Sequence, residues 1–509
     1  MRSTRSTTRT SVTRRGLLSG PAAATVLLTI GATITATAAP APAAPAAAQA
    51  AHDDFNGDGY PDAVISAPGG TVSAQKGAGY VAVLYGSASG LSSTRRATFS
   101  MSTPGVPGLA QTDDGFGRTT ASGDLDGDGY ADLVVGMPGK DIGTTVDAGA
   151  AVVLWGSANG LRATGAVTLQ DSTPTARGRF GLGLATGRFH GSGTELALVS
   201  SKALQTYVFE AGADGGHTVR ATPVNWRWSE DFTPTGLTSG DYDNYDNSGN
   251  DDDLVLLGTF TTTESLNPVE TFGQARYLRG GSEGLTDGGS LRGGPVGATG
   301  DINDDGYADV VMGSPTDWHE QIEAFLDGGT VDVFLGGPSG LRGPEGSDAD
   351  QHFTQTTIGA SGDDKTGDRF GGAVTVADVD GDGYADAALG APANDINTLT
   401  DPGTVWVMRG SAGGLTPRGL ASFSQSTPSV PGDNENGDWF GGALRLIDAN
   451  KDGKAELIAS APGEDTNDGA AWVFPGTANG PAATGSWSFN GATLSAPSPD
   501  ARFGETLAP

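Results

Sequence analysis

The residues best suited to chemistry are the carboxylates of a short acidic loop that recurs along the chain. In the wording DLDGDGYAD, Asp124, Asp126, Asp128 and Asp132 stand at positions one, three, five and nine, and Gly129 at position six permits a sharp bend. Oxygen ligands on alternate residues of a tight turn converge from one side, which suits Ca²⁺ with its roughly six to eight oxygens at about 2.3–2.6 Å. The backbone carbonyl of Tyr130 would complete the set. Near-copies supply Asp54, Asn56, Asp58, Tyr60 and Asp62; Asp301, Asn303, Asp305, Tyr307 and Asp309; and Asp378, Asp380, Asp382, Tyr384 and Asp386. A looser copy supplies Asp448, Asn450, Asp452, Lys454 and Glu456, where Lys451 and Lys454 dilute the charge. An EF-hand would need Glu at position twelve and helices on either side. Position twelve is Val135, in an apolar run, so the loop feeds a strand.

Asp and Gly also build turns without a metal, through Asx hydrogen bonds and positive φ. Repetition favours the cation, because so many carboxylates packed into small loops repel one another unless something neutralises them. The elements that must position these loops repeat with them. A Phe-Gly pair precedes the loop at Phe116 and Gly117, Phe180 and Gly181, Phe370 and Gly371, and Phe440 and Gly441. An apolar run ending near Pro follows it, as in VVGMP, ALGAP and IASAP, and then a strand and turn such as AVVLWGSANGL from Ala151. Alternation at Val152 and Leu154 is the period of a half-buried strand, Gly, Ser and Asn mark the turn, and helical periodicity is absent. Between Asp124 and Asp301 there is room for two weaker units. In the first, Arg188, His190 and Ser192 replace the acids, so it should be metal-free and His190 reads as a solvated turn residue. The other keeps Asp241, Asp243 and Asp253 around an insertion, and the total is seven units.

Phe-Gly, then the acidic loop, then Gly-Ala-Pro resembles the FG-GAP repeat of integrin α-subunit heads and of bacterial secreted proteins. The resemblance runs from about Asp53 to the end and is strong in five units; the third and fourth are weak, and the fifth has no recognisable Phe-Gly pair. It implies an all-β, seven-bladed β-propeller with structural Ca²⁺ on the blade undersides. The first unit lacks a Phe-Gly strand while the C-terminus ends in ARFGETL, so the C-terminal strand is expected to complete the first blade and leave only protected edges. No leg domain or inserted adhesion domain accompanies the propeller, so integrin heterodimer formation and signalling are not carried over.

Residues 1–38 resemble a twin-arginine export signal, with Arg14 and Arg15 before an apolar stretch from Leu17 through Ile34. Residues 39–52 form an Ala/Pro-rich spacer, and the propeller takes 53–509. Removal of the signal would leave no stable membrane insertion and a secreted chain. With 82 Gly, 28 Pro and no Cys, the sequence has the turn supply of an all-β protein without disulfides. A net charge of −31 argues against nucleic acid, which is bound by surplus Lys and Arg.

No motif assigns catalysis. The five His residues form no HExxH arrangement, there is no thiol, and no GxSxG elbow, P-loop or dinucleotide fingerprint occurs. Trp226 and Trp228 could stack on a sugar or simply line a strand edge. The reading that follows is a monomeric binding or adhesion module for an extracellular protein or polysaccharide. Its alternative is a hydrolase or lyase with its site in the variable loops Gly139–Asp147, Thr261–Thr271, Pro315–Gly328 and Ala393–Pro402.

Overall fold

The computed structural model describes residues 53–191, 193–212, 216–224, 228–229, 231–243, 251–261, 271–319, 324–326, 328–341, 349–360 and 367–507. The export signal, the spacer and Trp226 lie outside them, as do parts of the Thr261–Thr271 and Pro315–Gly328 loops. Seven four-stranded antiparallel sheets follow one another as the blades of a propeller. Blade two shows the pattern: an inner strand Thr119–Gly123, then Asp132–Met137, Ala150–Trp155 and an outer strand Arg162–Leu169. Blade one takes its inner strand from the other end of the chain. Thr506–Leu507 pairs with Ala63–Ala67 through Ile65 opposite Leu507 and Ser66 opposite Thr506, so the ring closes as expected.

The core is divided among the junctions between blades, one apolar cluster to each. Along Asp132–Met137 the pleat sends Leu133 and Val135 to the junction with blade one and Val134 to the junction with blade three. Such middle strands are therefore buried on both faces, where alternation alone suggested one. Neighbouring blades cover the second face, which is why the run from Leu133 to Val135 is continuously apolar. The two helical segments among the described residues are single turns, Gln355–Ile358 and Glu464–Asn467, and the second holds Asp465, Thr466 and Asn467 at positive φ. No helix among the described residues is long and apolar enough to cross a membrane.

Junctions are spliced at the two ends of the blades by two recurring devices. At one end the Phe-Gly pair docks on the preceding blade, with the Phe116 N–H donating to the Ala78 carbonyl at 3.0 Å and the Phe503 N–H to the Asp468 carbonyl at 3.0 Å. Backbones approach so closely there that a Cβ on Gly79 would lie 2.4 Å from the Phe116 carbonyl oxygen, and one on Gly469 would lie 2.4 Å from that of Phe503. At the opposite end the acidic loop makes the second splice. The Asp54 carbonyl accepts from Ala131 N–H of the next blade at 3.0 Å, and the Asp378 carbonyl accepts from Ala455 N–H at 2.8 Å. The residue at position two of the loop is pushed into the next junction: Phe55, Leu125, Phe189, Tyr242, Ile302, Val379 and Ala449 are all buried.

Candidate metal centres

In blades two to seven the acidic loop joins the inner strand to the second strand, in blade one it leads into the second strand alone, and the metal-type loops are wound by their own side chains. In blade two Asp124 Oδ2 accepts from Gly129 N–H at 3.1 Å, Asp126 Oδ1 from Asp128 N–H at 3.1 Å and Asp128 Oδ1 from Tyr130 N–H at 3.0 Å. The same three bonds recur in the loops led by Asp54, Asp301, Asp378 and Asp448. Position nine does a different job. Asp132 is the first residue of its strand, is buried, and accepts from Leu125 N–H at 2.9 Å and Gly156 N–H at 2.8 Å, clamping the loop to the hairpin that follows. Asp62, Asp309 and Asp386 repeat both bonds. Glu456 keeps only the first, from Ala449 N–H; its Oε1 turns back to Asn450 Nδ2 at 2.6 Å.

The oxygens left over fit a cation. Atoms of Asp124, Asp126 and Asp128 lie within 4.8 Å of one another, as do those of Asp378, Asp380 and Asp382, which is the spread of ligands about 2.3–2.6 Å from a shared Ca²⁺. Asp54 Oδ1 is buried with no partner, a costly state for a carboxylate oxygen that a cation would relieve. Burial also pushes the position-nine acids upward, against the pull of their backbone donors: Asp62 and Asp132 to about 8, Asp309 and Glu456 to about 7. Asp386 rises only to about 6, with Arg409 Nη1 3.2 Å away. Burial likewise raises Asp124, Asp128 and Asp380. In the loop led by Asp448, Lys454 Nζ bonds the Asp452 carbonyl at 3.1 Å and lies 3.6 Å from its carboxylate.

The two divergent loops keep the splice and change the charges. In blade three the Arg188 carbonyl still accepts from Asp252 N–H, but Arg188 Nε pairs with Asp252 at 3.4 Å and His190 Nδ1 lies 2.8 Å from Glu195. His190 is thus the partner of a buried carboxylate, where the sequence suggested a solvated turn, because Glu195 opens its strand as Asp132 does in blade two. In blade four Asp243 takes bonds from Tyr277 Oη at 2.8 Å and Arg279 Nε at 3.1 Å, and Asp253 fills the clamp position, accepting from Gly280 N–H at 2.8 Å.

Some contacts have no signal in the sequence. His217, on the outer strand of blade three, stacks on Trp155 with ring centroids 3.6 Å apart and puts Nε2 2.8 Å from Asp126. Arg409 reaches Asp380 at 3.1 Å and Arg95 reaches Asp58 at 3.1 Å. Trp228 packs against Phe232, centroids 6.2 Å apart. At the centre of the ring the inner strands enclose a channel of about 470 Å³ lined by small and hydroxyl-bearing residues such as Thr119, Ser122, Thr186, Thr238 and Thr299, with Arg445 paired to Asp53.

The FG-GAP repeat family matches residues 46–84, 116–154, 370–408 and 440–474, whose described parts fall in blades one, two, six and seven. Phosphatidylinositol-glycan-specific phospholipase D of Rattus norvegicus is 34% identical over 167 residues, 32% of this chain and 18% of that protein. Integrin alpha-PS3 of Drosophila melanogaster is 38% identical over 95 residues, 18% of this chain and 7% of the integrin. The chain therefore spans less than a fifth of the length of either relative. Among solved structures, the exotype rhamnogalacturonan lyase YesX superposes with a TM-score of 0.30 at 14% identity, over 75% of this chain and 65% of the lyase. With four repeats matched in sequence and the blades closed into a ring, the chain carries FG-GAP repeats, is similar in part to integrin alpha chains, and folds as a seven-bladed β-propeller.

Proposed function

We propose that this is a secreted, Ca²⁺-stabilised propeller that binds an extracellular protein or polysaccharide through the face opposite its acidic loops. The acidic loops lead into second strands and the variable loops join second to third, so the two sets emerge at opposite ends of the blades. The observation that carries the reading is where apolar surface is left uncovered. The exposed large hydrophobics among the described residues, Leu109 and Val146, both lie on the variable-loop face around blade two. Scattered apolar residues are ordinary, but two on one rim of a highly acidic protein mark the place where a partner would gain most from contact. Ca²⁺ in this reading belongs to the scaffold: it binds the folded loops, and its binding free energy adds to stability.

The test is a glycan array and an extracellular-protein pull-down with the full chain, repeated with Leu109→Asp and Val146→Asp. Loss of capture in these variants, with capture kept in Asp128→Ala under saturating Ca²⁺, is the expected result. The reading falls if the surface variants bind as the parent does. Turnover of a glycan, ester or phosphodiester substrate, abolished by a point change in Gly139–Asp147 or Ala393–Pro402, would replace it with the hydrolase or lyase reading.

A further inference from the structure

Position three of the acidic loop divides the metal-type copies into two kinds. Blades one, five and seven have Asn56, Asn303 and Asn450 there, and blades two and six have Asp126 and Asp380. One side-chain oxygen does the same work in all of them, accepting from the N–H two residues on at 2.7–3.2 Å. The other atom differs. In the asparagine loops it is Nδ2, and it donates to a second acid of the same loop: Asn56 to Asp58 and Asn303 to Asp305 at 3.2 Å, Asn450 to Glu456 at 2.6 Å. In the aspartate loops it is a carboxylate oxygen, which can only accept, and the ligand positions carry one carboxylate more.

In both aspartate loops that oxygen is met by a basic group from outside the loop. Asp126 Oδ2 meets His217 Nε2 at 2.8 Å, and Asp380 Oδ2 meets Arg409 Nη1 at 3.1 Å. Arg409 stands immediately before Gly410, whose N–H donates to Asp386; in blade five the same place, before Gly336, holds Leu335. From there the guanidinium also reaches Asp386 Oδ2 at 3.2 Å and donates to the Asn479 carbonyl of blade seven. Its side chain is 14% exposed, against 43% for Arg95 and 27% for Lys454, which touch the position-five acids of blades one and seven from farther out in water. A guanidinium stays charged, so blade six carries a fixed positive charge against its loop. Its four carboxylates and one guanidinium leave the same net charge as the three carboxylates of blade five.

We infer that Arg409 is the resident counter-charge of the blade-six loop: it replaces the donor that asparagine supplies in blade five, holds the four carboxylates together in metal-free protein, and lowers the affinity of that loop for Ca²⁺. The inference rests on Ca²⁺ in the acidic loops, as proposed above, and concerns how tightly one of them holds it. Arg409 is a positioning residue and not a ligand, since its nitrogens only donate. Removing a unit positive charge from beside carboxylates that share a divalent cation tightens binding by roughly tenfold even with water-like screening. Removing a residue that merely packs leaves the affinity alone or weakens it.

The test reads each loop separately in the full chain. The readout is the Ca²⁺ concentration at which the Gly383 amide, bonded to Asp378 at 2.9 Å, becomes protected from hydrogen exchange, with Gly129 in blade two as the internal reference. Arg409→Leu should move the Gly383 midpoint roughly tenfold lower and Asp380→Asn roughly tenfold higher, while Arg409→Leu/Asp380→Asn, which rebuilds the blade-five pair, should return it to within about threefold of the parent. In chelator Arg409→Leu should melt below the parent, and the double variant above Arg409→Leu. Should Arg409→Leu fail to fold, the double variant against Asp380→Asn decides, because that step removes the same charge with one carboxylate fewer. A Gly383 midpoint that stays or rises on loss of Arg409, with Gly129 responding as in the parent, overturns the inference alone. Absence of any Ca²⁺ response at both amides in every protein overturns the calcium reading beneath it.

Discussion

The acidic loop of blade two and its counterpart in blade three do the same mechanical work with opposite chemistry. Both send a position-two side chain, Leu125 or Phe189, into the next junction, and both tie the loop to a buried carboxylate on the first residue of the following strand, Asp132 through Leu125 and Gly156 N–H and Glu195 through His190. Blade two surrounds that clamp with Asp124, Asp126 and Asp128, whereas blade three surrounds it with Arg188 and His190. The splice between blades is therefore the constant requirement, and charge neutralisation is the variable one. It can come from solution, as a cation, or from the chain, as a basic side chain.

The sharpest way to break this contrast is to remove the cation. A ligand that binds only the folded state contributes about 2.7 kcal/mol per site at a hundredfold excess over Kd, so stripping several loops should lower the melting temperature by on the order of 10 °C. Calorimetry with and without chelator measures it. Hydrogen exchange sharpens it further: amides of Gly129, Tyr130 and Gly383 should lose protection in chelator, and that of Gly191 in blade three should not. Equal loss in both would mean that the blade-three loop also depends on metal.

A single-loop change should act in proportion. Asp128→Ala removes one of the exposed candidate ligands and the bond to Tyr130 N–H. In Ca²⁺ it is expected to cost about 2–3 kcal/mol, one site's share. In chelator only the lost turn bond remains, about 0.5–1 kcal/mol. Urea titrations in the two buffers give both numbers, and identical costs would remove the metal from the account.

pH offers a milder probe of the same difference. Asp62 and Asp132 are raised by burial from an ordinary 3.8 to about 8, so between those values the folded state holds more protons than the unfolded one. Stability from these groups is complete below about 3.8 and is lost as the pH climbs to about 8. Metal-free protein should therefore melt lower at pH 8 than at pH 6. Saturating Ca²⁺ competes with the proton for the same loops and should flatten or reverse that slope. A metal-free melting curve that rises from pH 6 to pH 8 would show that these carboxyls are not held protonated.

Much of the scaffold was legible in the sequence because its signals are local. Phe-Gly, the acidic loop and the strand after it each lie within a few residues, and the orphan Phe503-Gly504 pair announced the closing strand. What could not be read is what one blade does to another. Nothing around Asp126 points to His217, which lies 91 positions away and arrives only because the outer strand of blade three packs along blade two. Nothing in the loop itself marks position two as a core residue, yet Phe55 and Tyr242 are among the most buried side chains of the described residues. His190 was misread for the same reason: its loop is one residue shorter than DLDGDGYAD, which moves Glu195 into the clamp position without an aspartate to mark it.

That shortened loop supplies the smallest and most selective test. In His190→Ala the buried Glu195 carboxylate loses the ring 2.8 Å away, as if a metal loop had lost its cation. Because His190 is about one-third exposed, water screens part of the pairing, and the cost should be about 1–2 kcal/mol, well short of a fully buried pair. The cost should be the same in Ca²⁺ and in chelator, unlike that of Asp128→Ala, and His190→Gln should recover part of it by donating a hydrogen bond to Glu195. A cost that appeared only in Ca²⁺ would place a cation in blade three and erase the distinction between the two loops. A cost that is equal in both buffers shows the chain neutralising its own clamp where the sequence has given up the metal.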